Sequence, residues 1–147
     1  MKNLLKQEFY VYLRFNRQEN QKMINIDKQV EYWFTSANDD LESAKLLISN
    51  NRFLHGLFFC HLVVEKAIKA IVVKQTKEIA PRTHNLLYLS DLANLIFSED
   101  DDIFLGILMK YQLQGRYPDY QPNVPNIEKV NEYLKKTENL LLWLQQK

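Results

Sequence analysis

The sequence predicts an all-α protein: an antiparallel up-down helical bundle of four to five helices, preceded by an extra N-terminal helix. Only three glycines and four prolines occur in 147 residues, which is few for a turn-rich sandwich or barrel. Apolar residues also recur three or four positions apart over several long segments, which is the period of one helical face. The length suits one domain with a core. We expect this domain at 23–147, with residues 1–22 as a helical extension.

Three long segments carry the helical pattern in the first half of the chain. Residues 1–22 form the amphipathic extension, with apolar positions at Leu5, Phe9, Tyr12 and Leu13. The next helix presents one apolar face, made of Val30, Trp33, Phe34, Ala37, Leu41, Ala44 and Leu47. The segment "FLHGLFFCHLVVEKAIKAIVV" is apolar almost all round, which predicts a helix covered on several sides at the centre of the bundle.

Shorter helices with polar caps follow. A loop around Pro81 leads to "HNLLYLSDLANLI", which the hydroxyl of Thr83 can cap, and Ser98 can cap "DIFLGILMKYQLQ". The acids of 99–102 lie where the helix dipole favours carboxylates, so we interpret them as a helix start rather than a metal site. After "GRYPDYQPNVPN", Asn126 is the expected cap of a last amphipathic helix.

Composition excludes several classes of function. The formal net charge is +1, so nucleic-acid binding requires a local patch rather than overall basicity. Cys60 is the only cysteine, which excludes a disulfide framework and a cysteine-built zinc site within one chain. We expect no metal and no cofactor. Charges or amides interrupt the apolar runs near the N-terminus, so we expect a cytoplasmic protein without a membrane partner.

The central apolar helix carries an unexpected polar stripe. His61, Glu65 and Lys69 stand four residues apart and therefore share one face. They form either a structural Glu–Lys ladder or one wall of a cleft lined by an acid and a base. The rest of this helix is so apolar that a bundle of this size should leave part of it uncovered, which predicts a homodimer.

Two further clusters could bind an anion or a base. Arg82 and His84 stand at the start of a helix, where free amides attract anions, although a histidine there is also typical of capping or packing. The stretch "YQLQGRYPDY" stops a helix among polar groups. Its Arg116 can close the helix or reach a phosphate, Asp119 can orient that arginine, and Tyr117 and Tyr120 offer faces for base stacking.

Four pieces together resemble the HEPN family of small all-helical domains. They cover roughly residues 27–145: "W..SANDDLESAKLLI" with Trp33, Ala37, Asp40, Leu41 and Ala44; "FFCHLVVEKAIKAI" with Glu65, Lys66 and Lys69; "PRTHNLLYL"; and "GRYPDY" with Arg116, Tyr117 and Pro118. The resemblance implies a bundle that dimerises through its long helices. It also implies a nucleotide- or RNA-binding cleft and, in many members, pairing with a minimal nucleotidyltransferase as a toxin–antitoxin system.

Active members of this family are metal-independent ribonucleases with an arginine and a histidine separated by four to six residues. No such pair occurs here, because no histidine follows Arg116, and Arg52 and Arg82 meet histidines at other spacings. Three hypotheses remain. The first is a non-catalytic dimeric module that binds a nucleotide, RNA or a nucleotidyltransferase. The second is a ribonuclease whose site joins Arg116 to His84 or His61 across a dimer, and the third is a purely structural helical adaptor.

Overall fold

A computed structural model describes the backbone at residues 2–22, 24–114, 117 and 123–147. Over these residues the chain forms six helices and no strand. They are α1 (Lys2–Lys22), α2 (Ile26–Ser49), α3 (Phe53–Thr76), α4 (Leu86–Leu92), α5 (Glu99–Gln114) and α6 (Ile127–Gln145). The predicted all-α bundle with an additional N-terminal helix is confirmed.

Helices α2 and α3 form the main hairpin of the bundle. Asn25 begins α2 by accepting a hydrogen bond from the Lys28 amide at 3.1 Å. The turn between the helices places Asn51 at φ 60°, a left-handed conformation that asparagine adopts more readily than most residues. The helices then approach closely at Gly56, where a Cβ would lie 2.5 Å from Cγ1 of Ile48. Glycine at this position therefore sets the spacing between α2 and α3.

Helix α3 is the centre of the fold, as its nearly uninterrupted apolar sequence predicts. Helices α2, α4, α5 and α6 all contact it, and most of its side chains from Gly56 to Val73 are buried. Burial also raises the pKa of the Cys60 thiol to about 11. Four helices of the same chain thus cover the apolar surface of α3 that, from the sequence, we expect to contact a second copy. The homodimer remains a prediction and needs another surface.

The polar caps place the shorter helices. The start of α4 differs from the expectation: Asn85, not Thr83, is the N-cap, because its Oδ1 accepts from the amides of Leu87 and Tyr88. Thr83 instead accepts from the Asn85 amide at 3.2 Å. The predicted caps of the last two helices are confirmed, since Ser98 Oγ accepts from the Asp101 amide and Asn126 Oδ1 accepts from the Lys129 amide.

Helix α1 stands apart from the bundle. Over the residues that the structure describes, it makes no contact with α2 to α6, and all of its described side chains, at residues 4–14, are exposed. In the part of the chain that the structure describes, no helix is both long enough and apolar enough to cross a membrane.

Candidate functional site

The polar stripe of α3 is buried inside the single chain. His61, Glu65 and Lys69 are 0%, 3% and 6% exposed. Helical spacing places them on one face, and the neighbouring elements then close over that face. A charge at such depth is costly unless a partner of opposite charge or several hydrogen bonds compensate it. The contacts of Glu65 therefore decide what this cluster can do.

Glu65 and Lys69 form the ion pair at the centre of the cluster. Lys69 Nζ donates to Glu65 Oε1 at 2.8 Å. The same ammonium lies 5.2 Å from the centre of the Trp33 ring on α2, a distance suited to a cation–π interaction. The sequence predicts the pair from its i,i+4 spacing, but nothing in the local pattern indicates the contact with Trp33.

Two histidines connect this pair to the loop between α3 and α4. His84 Nδ1 lies 3.0 Å from the second carboxylate oxygen, Glu65 Oε2. His61 Nε2 lies 3.1 Å from the backbone carbonyl of His84, and His61 Nδ1 lies 3.5 Å from Glu65 Oε2. The side chain of His61 and the loop at His84 are thus held against the same carboxylate. We define the Glu65 cluster as His61, Glu65, Lys69 and His84.

The acceptors in the Glu65 cluster fix where its protons lie. A carboxylate and a carbonyl oxygen can only accept, so His84 Nδ1 and His61 Nε2 both carry a hydrogen and donate it. The basic lone pair of neutral His84 then lies on Nε2. The His84 side chain is 47% exposed, whereas His61 is enclosed. Of these two histidines, only His84 can meet a ligand in the single chain.

Arg82 stands two residues before His84, with an exposed side chain in the same loop. It forms no ion pair with any other residue that the structure describes. The loop therefore presents a guanidinium and a half-exposed imidazole together. Those two groups suit an anion, since the arginine offers a planar fork of donors.

The structure brings together only part of the predicted site. His61, Glu65, Lys69 and His84 touch one another, and Arg82 is their neighbour in sequence. Tyr117 is exposed, and its amide donates to the Leu113 carbonyl at 3.1 Å. Arg116, Asp119 and Tyr120 lie outside the described residues, so their part in the site stays a prediction.

A second ion pair was not recognised as such from the sequence. Lys66 Nζ lies 2.6 Å from Asp40 Oδ2 and donates to Ser36 Oγ at 2.7 Å. Only the family resemblance singles out Asp40 and Lys66 in the sequence, because no local spacing connects residues on two different helices. The pair fixes α3 against α2 on the side next to the Glu65 cluster.

Within the described ranges, no group of three or more His, Cys, Asp or Glu side chains is arranged to hold a metal ion. The acids 99–102 occupy the first turn of α5, with Ser98 as its cap.

Comparison with known proteins decides the family. The model of the HEPN domain matches residues 30–147. The chain belongs to the HEPN family. The match begins inside α2, so α1 lies outside the HEPN match.

Two solved structures share the fold of this HEPN domain. TT1696 from Thermus thermophilus superposes with a TM-score of 0.67 at 22% identity, over 80% of this chain and 97% of that one. ST0689, described as an archaeal HEPN homologue, gives a TM-score of 0.56 at 25% identity, over 80% of this chain and 95% of that one. No curated protein sequence matches the chain significantly.

Proposed function

We propose that this protein is a non-catalytic HEPN module that dimerises and binds a nucleotide, an RNA or a nucleotidyltransferase partner. The observation that best supports it is the Glu65 cluster, which fixes the loop carrying Arg82 and His84 at the surface of the bundle. A loop held in this way presents its cationic groups with little further loss of conformational freedom on binding. The ligand class follows from those groups, since arginine and imidazole both favour phosphate.

The proposed binding region extends to "GRYPDY" on grounds of sequence. Arg116 supplies a second guanidinium, Asp119 orients it, and Tyr117 and Tyr120 offer stacking faces for a base. His61, Glu65 and Lys69 are buried in the single chain, so they do not line an exposed cleft there. They support the proposed binding region from inside.

The sequence lacks the arginine–histidine pair that the active ribonucleases of this family carry. No arginine in the sequence is followed by a histidine after four to six residues. Of the two histidines proposed for a composite site, His61 is buried and donates to the His84 carbonyl. Binding without cleavage is therefore the better-supported function.

One observation favours a second candidate, a metal-independent ribonuclease. A buried carboxylate that holds a histidine by Nδ1 is the arrangement that prepares Nε2 as a general base. In this alternative, His84 takes the proton of a 2′-hydroxyl, whose oxygen then attacks the adjacent phosphorus and displaces the 5′-oxygen of the next nucleotide. An arginine of the same or the second copy stabilises the negative charge on the phosphorane oxygens. His84→Ala would then abolish cleavage.

A purely structural adaptor would neither bind nor cleave RNA.

Replacing Arg116 tests the binding proposal. We expect Arg116→Ala to weaken binding of a nucleotide or short RNA by about 1.5 to 3 kcal/mol, the contribution of a charge-assisted hydrogen bond. Arg116→Lys should recover only part of the loss, since lysine keeps the charge but not the planar fork. Isothermal titration calorimetry measures both, and the melting temperature should stay nearly constant.

The matched control is Arg52→Ala, which removes the same charge from an exposed position at the start of α3. It should leave affinity unchanged. If Arg116→Ala lowers the melting temperature while binding is retained, Arg116 only closes its helix and the site at "GRYPDY" is rejected.

The nucleotidyltransferase version of the proposal has its own test. A neighbouring gene for a short nucleotidyltransferase would identify the partner, and co-purification of the two proteins would establish the pair. Unchanged elution of both proteins after mixing would remove this version and leave the nucleotide or RNA as the ligand.

A further inference from the structure

Helix α1 carries an apolar face that no other described helix covers. Leu5, Phe9, Tyr12 and Leu13 lie within about 100° of one another around the helix axis, and each is exposed by 45% or more. An isolated helix gains little stability in water, so its apolar face needs a partner surface. Because α3 is already covered within the chain, α1 is the stronger candidate for contact with a second molecule.

The charges of α1 and α2 are complementary. Helix α1 contains five basic and two acidic residues, whereas α2 contains five acidic and two basic residues. Opposite net charges of this kind favour association between the two surfaces and disfavour α1 pairing with another α1. Helix α5 has the same net charge as α2, but its four acids all lie in its first turn, whereas those of α2 are spread along the helix. The charge pattern thus favours α2 as the surface that receives α1.

A groove lies on the outer face of α2, the helix whose charge is opposite to that of α1. It has a volume of about 480 Å³ and is lined by Lys28, Glu31, Tyr32, Thr35, Ser36 and Asp39. Tyr32 is 61% exposed, and its ring offers an apolar contact. Glu31 and Asp39 are exposed and form no ion pair with another residue in the described ranges. Two acids beside an aromatic ring match a basic amphipathic helix.

We infer that α1 of one copy docks across this groove on α2 of a second copy, and that the exchange is reciprocal. The apolar face of α1 lies on Tyr32, and Lys6 and Arg14, which share one flank of α1, lie beside Glu31 and Asp39. A two-fold exchange of identical elements closes into a dimer and leaves no unpaired copy of either surface. This inference rests on the dimer of the proposed function and names the surface that forms it.

Two other arrangements compete with the exchange. Only residues 23–25 separate α1 from α2, so α1 could fold back on its own α2 as a helical hairpin. A basic amphipathic helix with aromatic residues also suits an anionic lipid surface. Only the exchange makes dimer formation depend on α1, which makes sedimentation of α1 variants the deciding measurement.

The first experiment compares two double variants by sedimentation velocity. Phe9→Asp with Leu13→Asp places two charges on the apolar face, and Gln7→Asp with Val11→Asp places two on the opposite side of α1. We expect the wild type to form a dimer of twice its 17.6 kDa mass. The variant with Phe9→Asp and Leu13→Asp should raise the dimer dissociation constant by at least about tenfold. The variant with Gln7→Asp and Val11→Asp should dimerise like the wild type. Equal behaviour of both variants would overturn the inference.

The second experiment exchanges charges between chains. Lys6→Glu with Arg14→Glu, and Glu31→Lys with Asp39→Lys, should each weaken self-association. An equimolar mixture of the two variants should recover the dimer, because in the mixed dimer both exchanged contacts again join opposite charges. No recovery in the mixture would contradict docking between chains and favour the hairpin.

The outcomes separate this inference from the proposed function. A monomeric wild type removes both the exchange and the dimer, while nucleotide binding is measured independently through Arg116. A dimer that persists in every α1 and α2 variant removes only the interface described here. Co-sedimentation of the wild type with phosphatidylserine vesicles, without any effect of these variants on the dimer, would assign α1 to a lipid surface and overturn the exchange.

Discussion

Glu65→Ala is expected to lower the free energy of unfolding by about 3 to 5 kcal/mol, the usual cost of leaving a buried charge without its partner. The change removes the carboxylate that accepts from Lys69 at 2.8 Å and from His84 at 3.0 Å. Lys69 is only 6% exposed, so water cannot easily replace the lost acceptor. Urea-induced unfolding followed by circular dichroism measures the effect.

The double variant Glu65→Ala with Lys69→Met should recover much of this loss, because it leaves no isolated ammonium in the interior. Glu132→Ala is the surface control. Glu132 pairs with Lys129 at 3.0 Å, and both side chains are about half exposed, so its loss should cost no more than about 1 kcal/mol. Equal and small effects from all three proteins would show that the Glu65 cluster is open to water, as a cleft wall would be.

Gly56→Ala is expected to destabilise the protein by about 1 to 3 kcal/mol through overpacking, despite alanine's better helix propensity. The new methyl group would lie 2.5 Å from Ile48 Cγ1 and 3.3 Å from the Ala44 carbonyl oxygen. Neither atom is the far end of a flexible chain, so α2 and α3 must move apart. The midpoint of thermal or urea unfolding reports the change.

Gly106→Ala is the matched control for this substitution. Gly106 lies in α5, where a Cβ would meet nothing within 4 Å, so alanine should stabilise the helix by about 0.5 to 1 kcal/mol. The two substitutions are chemically identical and should have opposite signs. A stabilising effect at both positions would contradict the close approach of α2 and α3.

The sequence was sufficient for most of the fold. Periodic apolar residues predicted α2 and α6, and a segment that is apolar almost all round predicted α3. The short polar side chains Ser98 and Asn126 predicted two helix starts, because such signals act within a few residues. The cap of α4 was assigned to Thr83, two residues before the true cap, since Thr83, Asn85 and their neighbours offer several short acceptors. The apolar surface of α3 predicted a helix covered on several sides, but not that four helices of the same chain complete the cover, because that depends on tertiary packing.

The candidate site was predictable only in its local part. The spacing of residues 61, 65 and 69 placed three polar groups on one face, and the pair of Glu65 with Lys69 follows from it. The contacts of Glu65 with His84, and of Lys69 with Trp33, join distant parts of the chain and require the folded structure. The family resemblance drew attention to the segments that carry Glu65 and His84, but it did not distinguish a buried side chain from one that is exposed to a ligand.

Incubation of the purified protein with labelled single-stranded RNA tests the central claim most directly, with binding and chain cleavage measured in the same sample without added metal. The account predicts that RNA or a nucleotide binds, that the RNA stays intact, and that Arg116→Ala weakens the binding while His84→Ala leaves the RNA equally intact. Cleavage by the wild type that disappears in His84→Ala would contradict the account and establish the ribonuclease instead.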